Sequence, residues 1–299
     1  MKTPIGATFR PETLVRDGYS GDNFWTTWAA DDNQYTTQDD GRGWHEHGSY
    51  QNGVWRVKGG PDSMAVEDLP DYPLYPFGGA GSHKGRFETA HGFYGYGIVS
   101  VDGVLYVFLS KTANNRWWGP FQGTRLLASR DFGTSWANVS PDGTWSEFDG
   151  SADHLVYHPY RDAFFYRQGE RFGHGQWAYP FACNTVVQCG KDYQDASDDW
   201  VYVYSTEGVA AHELLLARAP RERFDRRHEW EFAAGLGANG APRWSKNLDE
   251  RGPVHRFPEK TTPDTPVPGT VEDWFSWYSW MPSVVYNKPL GVYIMANHG

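Results

Sequence analysis

The stretch that most constrains the fold is 94–110, YGYGIVSV-DG-VLYVFLS. Two runs rich in β-branched and aromatic residues flank Asp102-Gly103, a dipeptide that adopts positive φ readily and so favours a tight hairpin turn. A third strand-like run, TRLLAS, ends in Ser129-Arg130-Asp131-Phe132-Gly133-Thr134-Ser135-Trp136. In that octapeptide Asp131 is placed to accept backbone N–H bonds within a turn, Gly133 to take positive φ, and Trp136 to pack back onto the strands.

The octapeptide fits S-x-D-x-G-x-[ST]-W, the Asp-box pattern of sialidase-like and other β-propeller proteins. Four strands with such a box at the last turn make one propeller blade. Composition agrees with many short strands joined by turns: 17% of residues are aromatic, with 15 Trp, 34 Gly and 19 Pro. Blade-like units are expected at about 21–58, 93–139, 181–233 and 277–299. Long loops are expected at 59–92, 140–180 and 255–275, and one short helix from Pro220. The predicted fold is thus all-β, a single propeller over 1–299. The last unit is incomplete, since strands for only half a blade follow Trp280.

The net charge of −10, with no Lys/Arg-rich run, argues against nucleic-acid or anionic-membrane partners. No apolar run approaches the length of a membrane span. The N-terminus, MKTPIGATFRPETLVRDG, lacks the apolar core of a secretory signal. This leaves an intracellular protein, or a secreted or periplasmic one whose leader is missing from the sequence. Cys183 and Cys189, read within one extended strand, are too far apart to pair and are expected as free, buried thiols. No His/Cys spacing resembles a zinc site. No cofactor is expected, and the sequence leaves a structural Ca²⁺ and the oligomeric state open.

The chemistry concentrates in 21–44, GDNFWTTWAADDNQYTTQDDGRGW. Thr- and aromatic-rich runs flank Ala30-Asp31-Asp32-Asn33, which is turn chemistry. Folding the segment about that turn brings Asp22 opposite the neighbourhood of Asp40, within a residue or so. Cross-strand Cβ atoms lie roughly 5 Å apart and diagonal ones roughly 7–8 Å. Glycosidases need carboxyl pairs at about 5–5.5 Å (retaining) or about 6.5–9.5 Å (inverting). The hairpin can therefore present an acid pair at a catalytic separation. The bland alternative is that these Asp residues cap turns and solvate a loop.

These segments, together with DDWVYVYS, LLLARAPRERFDRRHEWEFAAGL and SWMPSVVYNKPLGVYIMA, resemble a family of five-bladed propeller proteins first catalogued as a domain of unknown function. It lies near the arabinanase-like glycosidases, and some members are endo-D-arabinanases. The resemblance covers roughly 18–299 with interruptions. It implies a central funnel in which two Asp residues form a hydrolytic pair, with Asp22 and Asp40 at the first and last acidic positions of the family's opening pattern. This sequence departs from that pattern at Phe24, inserted before the Trp, at Asn33 and at Asp39. The doublet Asp39-Asp40 leaves open which carboxylate faces inward, because neighbours in a strand point opposite ways.

The leading expectation is a glycoside hydrolase acting on a poly- or oligosaccharide, of arabinan type by the resemblance. One of Asp22 and Asp40 would be nucleophile or base and the other general acid. Asp39 and Glu88 are candidate catalytic or pKa-tuning carboxylates. Trp25, Trp28, His91, Tyr94 and Trp280 are candidate sugar contacts, with core packing the competing fate of the aromatics. A polysaccharide lyase using His91 and Tyr94 ranks lower, because the inner strands carry few cations to neutralise a uronate. A carbohydrate-binding propeller without catalysis would need the aromatics but not the acid pair.

Overall fold

The computed structural model describes residues 6, 8, 10–14, 20–44, 50–60, 62–69, 71–72, 75–76, 93–112, 121–147, 163–165, 180–207, 212–257 and 281–296. Of these, residues 13, 40, 50–51, 75–76, 112 and 121–122 are described by backbone alone. Among the described residues there is no α-helix; strands and short 3₁₀ turns make up the regular structure.

The strands form four antiparallel sheets in chain order. Sheet 1 contains β1 (Ser20–Asp22), β2 (Thr26–Trp28), β3 (Gln34–Gly43), β4 (Tyr50–Lys58), β5 (Ala65–Asp68) and β6 (Tyr75–Pro76), with β1 and β2 both paired to β3. Sheet 2 contains β7 (Phe93–Val101), β8 (Val104–Thr112), β9 (Phe121–Ser129), β10 (Ala137–Val139), β11 (Trp145–Glu147) and β12 (Ala163–Phe165). Sheet 3 contains β13 (Asn184–Val186), β14 (Trp200–Glu207), β15 (Glu213–Pro220), β16 (Glu231–Leu236), β17 (Pro242–Ser245) and β18 (His255–Arg256). Sheet 4 is the hairpin of β19 (Ser283–Asn287) and β20 (Val292–Ala296).

The Asp102-Gly103 turn forms as its chemistry demands, with φ of 51° and 78°. Alternation along β8 then sends Leu105, Val107 and Leu109 into a core shared with sheet 1, and Tyr106 and Phe108 into one shared with sheet 3. All of β7 is buried, as expected of a strand packed between two sheets. It lies against β2, β3 and β4 on one side and β13 on the other. Gly97 permits the second contact, because a Cβ there would stand 2.5 Å from the Asn184 carbonyl oxygen. Sheet 4 joins through Gln188, whose N–H donates to the Val284 carbonyl at 2.9 Å and whose carbonyl accepts from Tyr286 at 2.8 Å.

One loop ties two hairpin tips together. Asp192, itself at φ 50°, accepts from Ser100 Oγ at 2.7 Å and from the Gly103 N–H at 3.0 Å. Its neighbour Lys191 reaches Asp32 in the first hairpin's turn at 3.0 Å.

Several expectations change. The predicted loop 59–92 contains β5 and β6, and the predicted loop 140–180 begins with β11, so sheets 1 and 2 hold more strands than the sequence pattern indicated. These strands are two to four residues long, too short to alternate visibly. Two 3₁₀ turns, Arg221–Arg223 and Arg227–Glu229, replace the single helix expected from Pro220. Cys183 and Cys189 are buried and form no disulfide, but they do not share a strand, because β13 runs only from Asn184 to Val186. Burial pushes the Cys189 thiol up to about 11, with a hydrogen bond from Tyr193 drawing it partly back. Within the predicted loop 140–180, 153–167 (DHLVYHPYRDAFFYR) reads in the sequence as a further hairpin, and of it the described residues hold only β12.

Candidate active site

The first hairpin turns where expected: Ala29 N–H donates to the Asn33 carbonyl, and Thr26, Thr27 and Trp28 face Thr36, Tyr35 and Gln34. The inner strand then breaks. Three residues, Asn23-Phe24-Trp25, separate Asp22 from Thr26, whereas two separate their partners Asp39 and Thr36. This is a bulge, and Phe24 is the surplus residue its position in the sequence predicted. Asn23 absorbs the bend at φ 51°, a conformation Asn tolerates better than most residues. Thr37 secures it: the Trp25 N–H donates to Thr37 Oγ1 at 3.2 Å, and that hydroxyl donates to the Asn23 carbonyl at 3.3 Å.

The bulge shifts the register so that Asp22 faces Asp39, one residue short of Asp40. The Asp40 backbone runs on in β3, while its side chain lies outside the described residues. Between the two facing carboxylates sits the Asn23 side-chain nitrogen, which donates to Asp22 Oδ1 at 3.1 Å and to Asp39 Oδ2 at 3.4 Å. These contacts cap the separation of the two oxygens at about 6.5 Å, the sum of the two distances. Asp39 is 1% exposed. Asp22 is exposed as a residue, yet enough protein surrounds its carboxyl that desolvation raises its pKa, with the Asn23 hydrogen bond drawing it partly back.

The acidic row continues into β4. Asn52 faces Asp39 and is fully buried; its amide donates to the Phe93 carbonyl at 2.9 Å and accepts from Tyr72 Oη at 2.7 Å. This ties β4 to β7. Beyond Phe93 lie two buried cations that sequence reasoning missed. Lys111 Nζ and Arg125 Cζ stand 5.4 Å and 6.0 Å from the Phe93 ring centroid, and Arg125 also donates to Asn138 at 2.6 Å. Burial pulls the Lys111 ammonium down to about 7.

The proposed sugar contacts separate. Trp25 is half-buried and packs on the core shared by sheets 1 and 2. Trp28 is 45% exposed but sits at the turn end of the hairpin, bonded to Asp32, about 20 Å along the strand from Asp22. Tyr94 is 1% exposed and stacks on Tyr96, so it is a core residue rather than a surface contact. Glu88, His91 and Trp280 lie outside the described residues. Phe24, one of the hairpin's cluster of aromatics and the residue in excess of the family pattern, flanks Asp22; it is 41% exposed and meets Trp44 edge-on at 5.6 Å.

Asp131, Gly133 and Trp136 form the turn between β9 and β10, away from the acid pair. Asp131 Oδ1 accepts from the Ser135 N–H and from Ser129 Oγ, both at 2.8 Å. Gly133 sits at φ 86°, and the buried Trp136 packs edge-on against Tyr72. Among the described residues no cluster of His, Cys, Asp and Glu could hold a metal ion, and no helix is long and apolar enough to cross a membrane.

No family profile matches the chain, and no curated sequence matches it significantly. Two crystal structures are similar in part. One is a Bacteroides ovatus protein named provisionally as a hydrolase, at 14% identity and TM-score 0.39, covering 76% of this chain and 54% of its own. The other is a xylan β-1,4-xylosidase from Bacillus halodurans, at 13% identity and TM-score 0.30, covering 93% of this chain and 48% of its own. The chain spans about half the length of each.

Proposed function

We propose that this chain is a glycoside hydrolase of β-propeller architecture, its sheets being successive blades of a five-bladed ring, acting on a polysaccharide of arabinan type. The observation that carries the reading is the facing of Asp22 and Asp39 across β1 and β3 with one amide nitrogen between them. Asp22 is the general acid: desolvation favours its protonated form, and its exposure lets it reach a leaving-group oxygen. Asp39, facing it across the two strands, is the nucleophile. A separation of at most about 6.5 Å between facing oxygens fits the retaining spacing of about 5–5.5 Å better than a water-sized gap. Phe24 offers an exposed ring beside Asp22 for a sugar face.

A second reading is favoured by the burial of Asp39. At 1% exposure it meets substrate only if its cover yields. Asp39 would otherwise set the protonation of Asp22 from behind, with Asp40 supplying the second catalytic carboxylate.

The test is product analysis on a panel of plant and bacterial polysaccharides that includes arabinans, with the anomeric configuration of the first product followed by NMR. Saturated reducing sugars that retain configuration support the Asp22–Asp39 pair. Inverted products favour the second reading. Unsaturated products, or no cleavage of any polymer, overturn the hydrolase.

A further inference from the structure

The residue between the two carboxylates has a role that neither the acid pair nor the fold supplies. We infer that Asn23 is a positioning residue of the acid pair, its side-chain nitrogen fixing the spacing of Asp22 and Asp39. This rests on the hydrolase reading for its consequence in catalysis, but not for its physical content.

The geometry makes the case. One nitrogen has two N–H bonds, and here both find carboxylate oxygens, Asp22 Oδ1 at 3.1 Å and Asp39 Oδ2 at 3.4 Å. The amide must turn its nitrogen this way, because its oxygen would face two acceptors. Two facing carboxylates repel, so in the absence of a shared donor one of them holds its proton more tightly. Hydrogen bonds donated to a charged acceptor are the strong ones. The backbone favours Asn as the donor: a φ of 51° suits Gly, Asn and Asp best, and of these only Asn brings an amide. The bulge directs that amide at the pair, with Thr37 holding the Asn23 carbonyl on the other side. Arg42 follows on β3, and Lys111 and Arg125 stand over the ring of Phe93, whose carbonyl Asn52 holds.

Asn23→Gly separates the two roles of the residue, since Gly keeps the positive φ and deletes the amide. In ¹³C-carboxyl NMR titrations of the full chain, the variant should titrate Asp22 and Asp39 at higher pH than the parent. Once a substrate is in hand, kcat should fall about 10- to 100-fold with KM little changed. Both limbs of the pH–rate profile should move upward. Unchanged titration of both carboxyls overturns the inference, as does a loss of kcat with an unmoved profile. If no polymer is cleaved the hydrolase reading fails, and the titration still decides the role of Asn23.

Discussion

Gly97→Ala probes how the sheets pack. Gly97 lies in β7, and a Cβ there would stand 2.5 Å from the Asn184 carbonyl oxygen, 3.3 Å from its carbonyl carbon and 3.4 Å from Thr185 Cα. All three atoms are backbone, held in β13 by pairing with β14, so no flexible side chain can give way. Restoring ordinary contact means separating two strands, each held in its own sheet, by nearly an ångström. Overpacking of this kind costs about 1–3 kcal/mol. The smaller unfolded-state entropy of Ala offsets about 0.4–1 kcal/mol of it. A net loss near 1–2 kcal/mol should lower Tm by roughly 2–3 °C in a domain of this size. Gly60→Ala is the control, since nothing lies within 4 Å of its added carbon, and it should stay within about 0.5 kcal/mol of the parent. Thermal and urea unfolding of the two variants side by side make the measurement. Equal stability of Gly97→Ala and Gly60→Ala would refute the direct packing of β7 on β13.

The Arg251–Glu207 pair is buried, with contacts of 2.6 and 2.8 Å, so Arg251→Met alone should cost about 3–5 kcal/mol in urea unfolding, and adding Glu207→Gln should recover much of that. For Lys111 the sign follows from its depressed pKa: between about 7 and the ordinary 10.5 the unfolded chain binds the extra proton, so rising pH favours the fold. The stability of Lys111→Met relative to the parent should therefore be greatest near neutrality and decline toward pH 10. For Asp131, burial works upward but is outweighed by hydrogen bonds from Ser135 and Ser129, so its pKa is lowered. Its contribution is present above the ordinary 3.8 and lost as pH falls through the folded value, and Asp131→Asn should flatten that acid loss in urea midpoints.

What was legible in the sequence was local. Asp102-Gly103 specifies its turn by backbone preference alone, and the Ser129–Trp136 turn carries its own hydrogen-bonding groups. The facing of Asp22 on the first hairpin was legible to within one residue. The missing residue of register depends on the bulge at Asn23–Trp25, which Thr37 holds from the partner strand, and no count along a single strand reveals it. Tyr94 read as a substrate contact because it opens a strand, yet its burial comes from the packing of sheet 2 against its neighbours. Lys111 and Arg125 escaped notice for the same reason: a cation in a strand reads as solvent-facing until the adjoining sheet is in place. Strands such as β5 and β17, four residues each, are specified by their partners more than by their own pattern.

The most direct test of the acid pair compares Asp22→Asn, Asp39→Asn and Asp40→Asn on the best substrate from the polysaccharide panel. The facing of Asp22 and Asp39 predicts that both of their variants lose about 10²- to 10⁴-fold in kcat, while Asp40→Asn stays near the parent. Loss of activity in Asp40→Asn, with Asp39→Asn only shifting the pH profile, would contradict that pairing and move the second carboxylate to Asp40. Activity surviving all three changes would remove the first hairpin from catalysis.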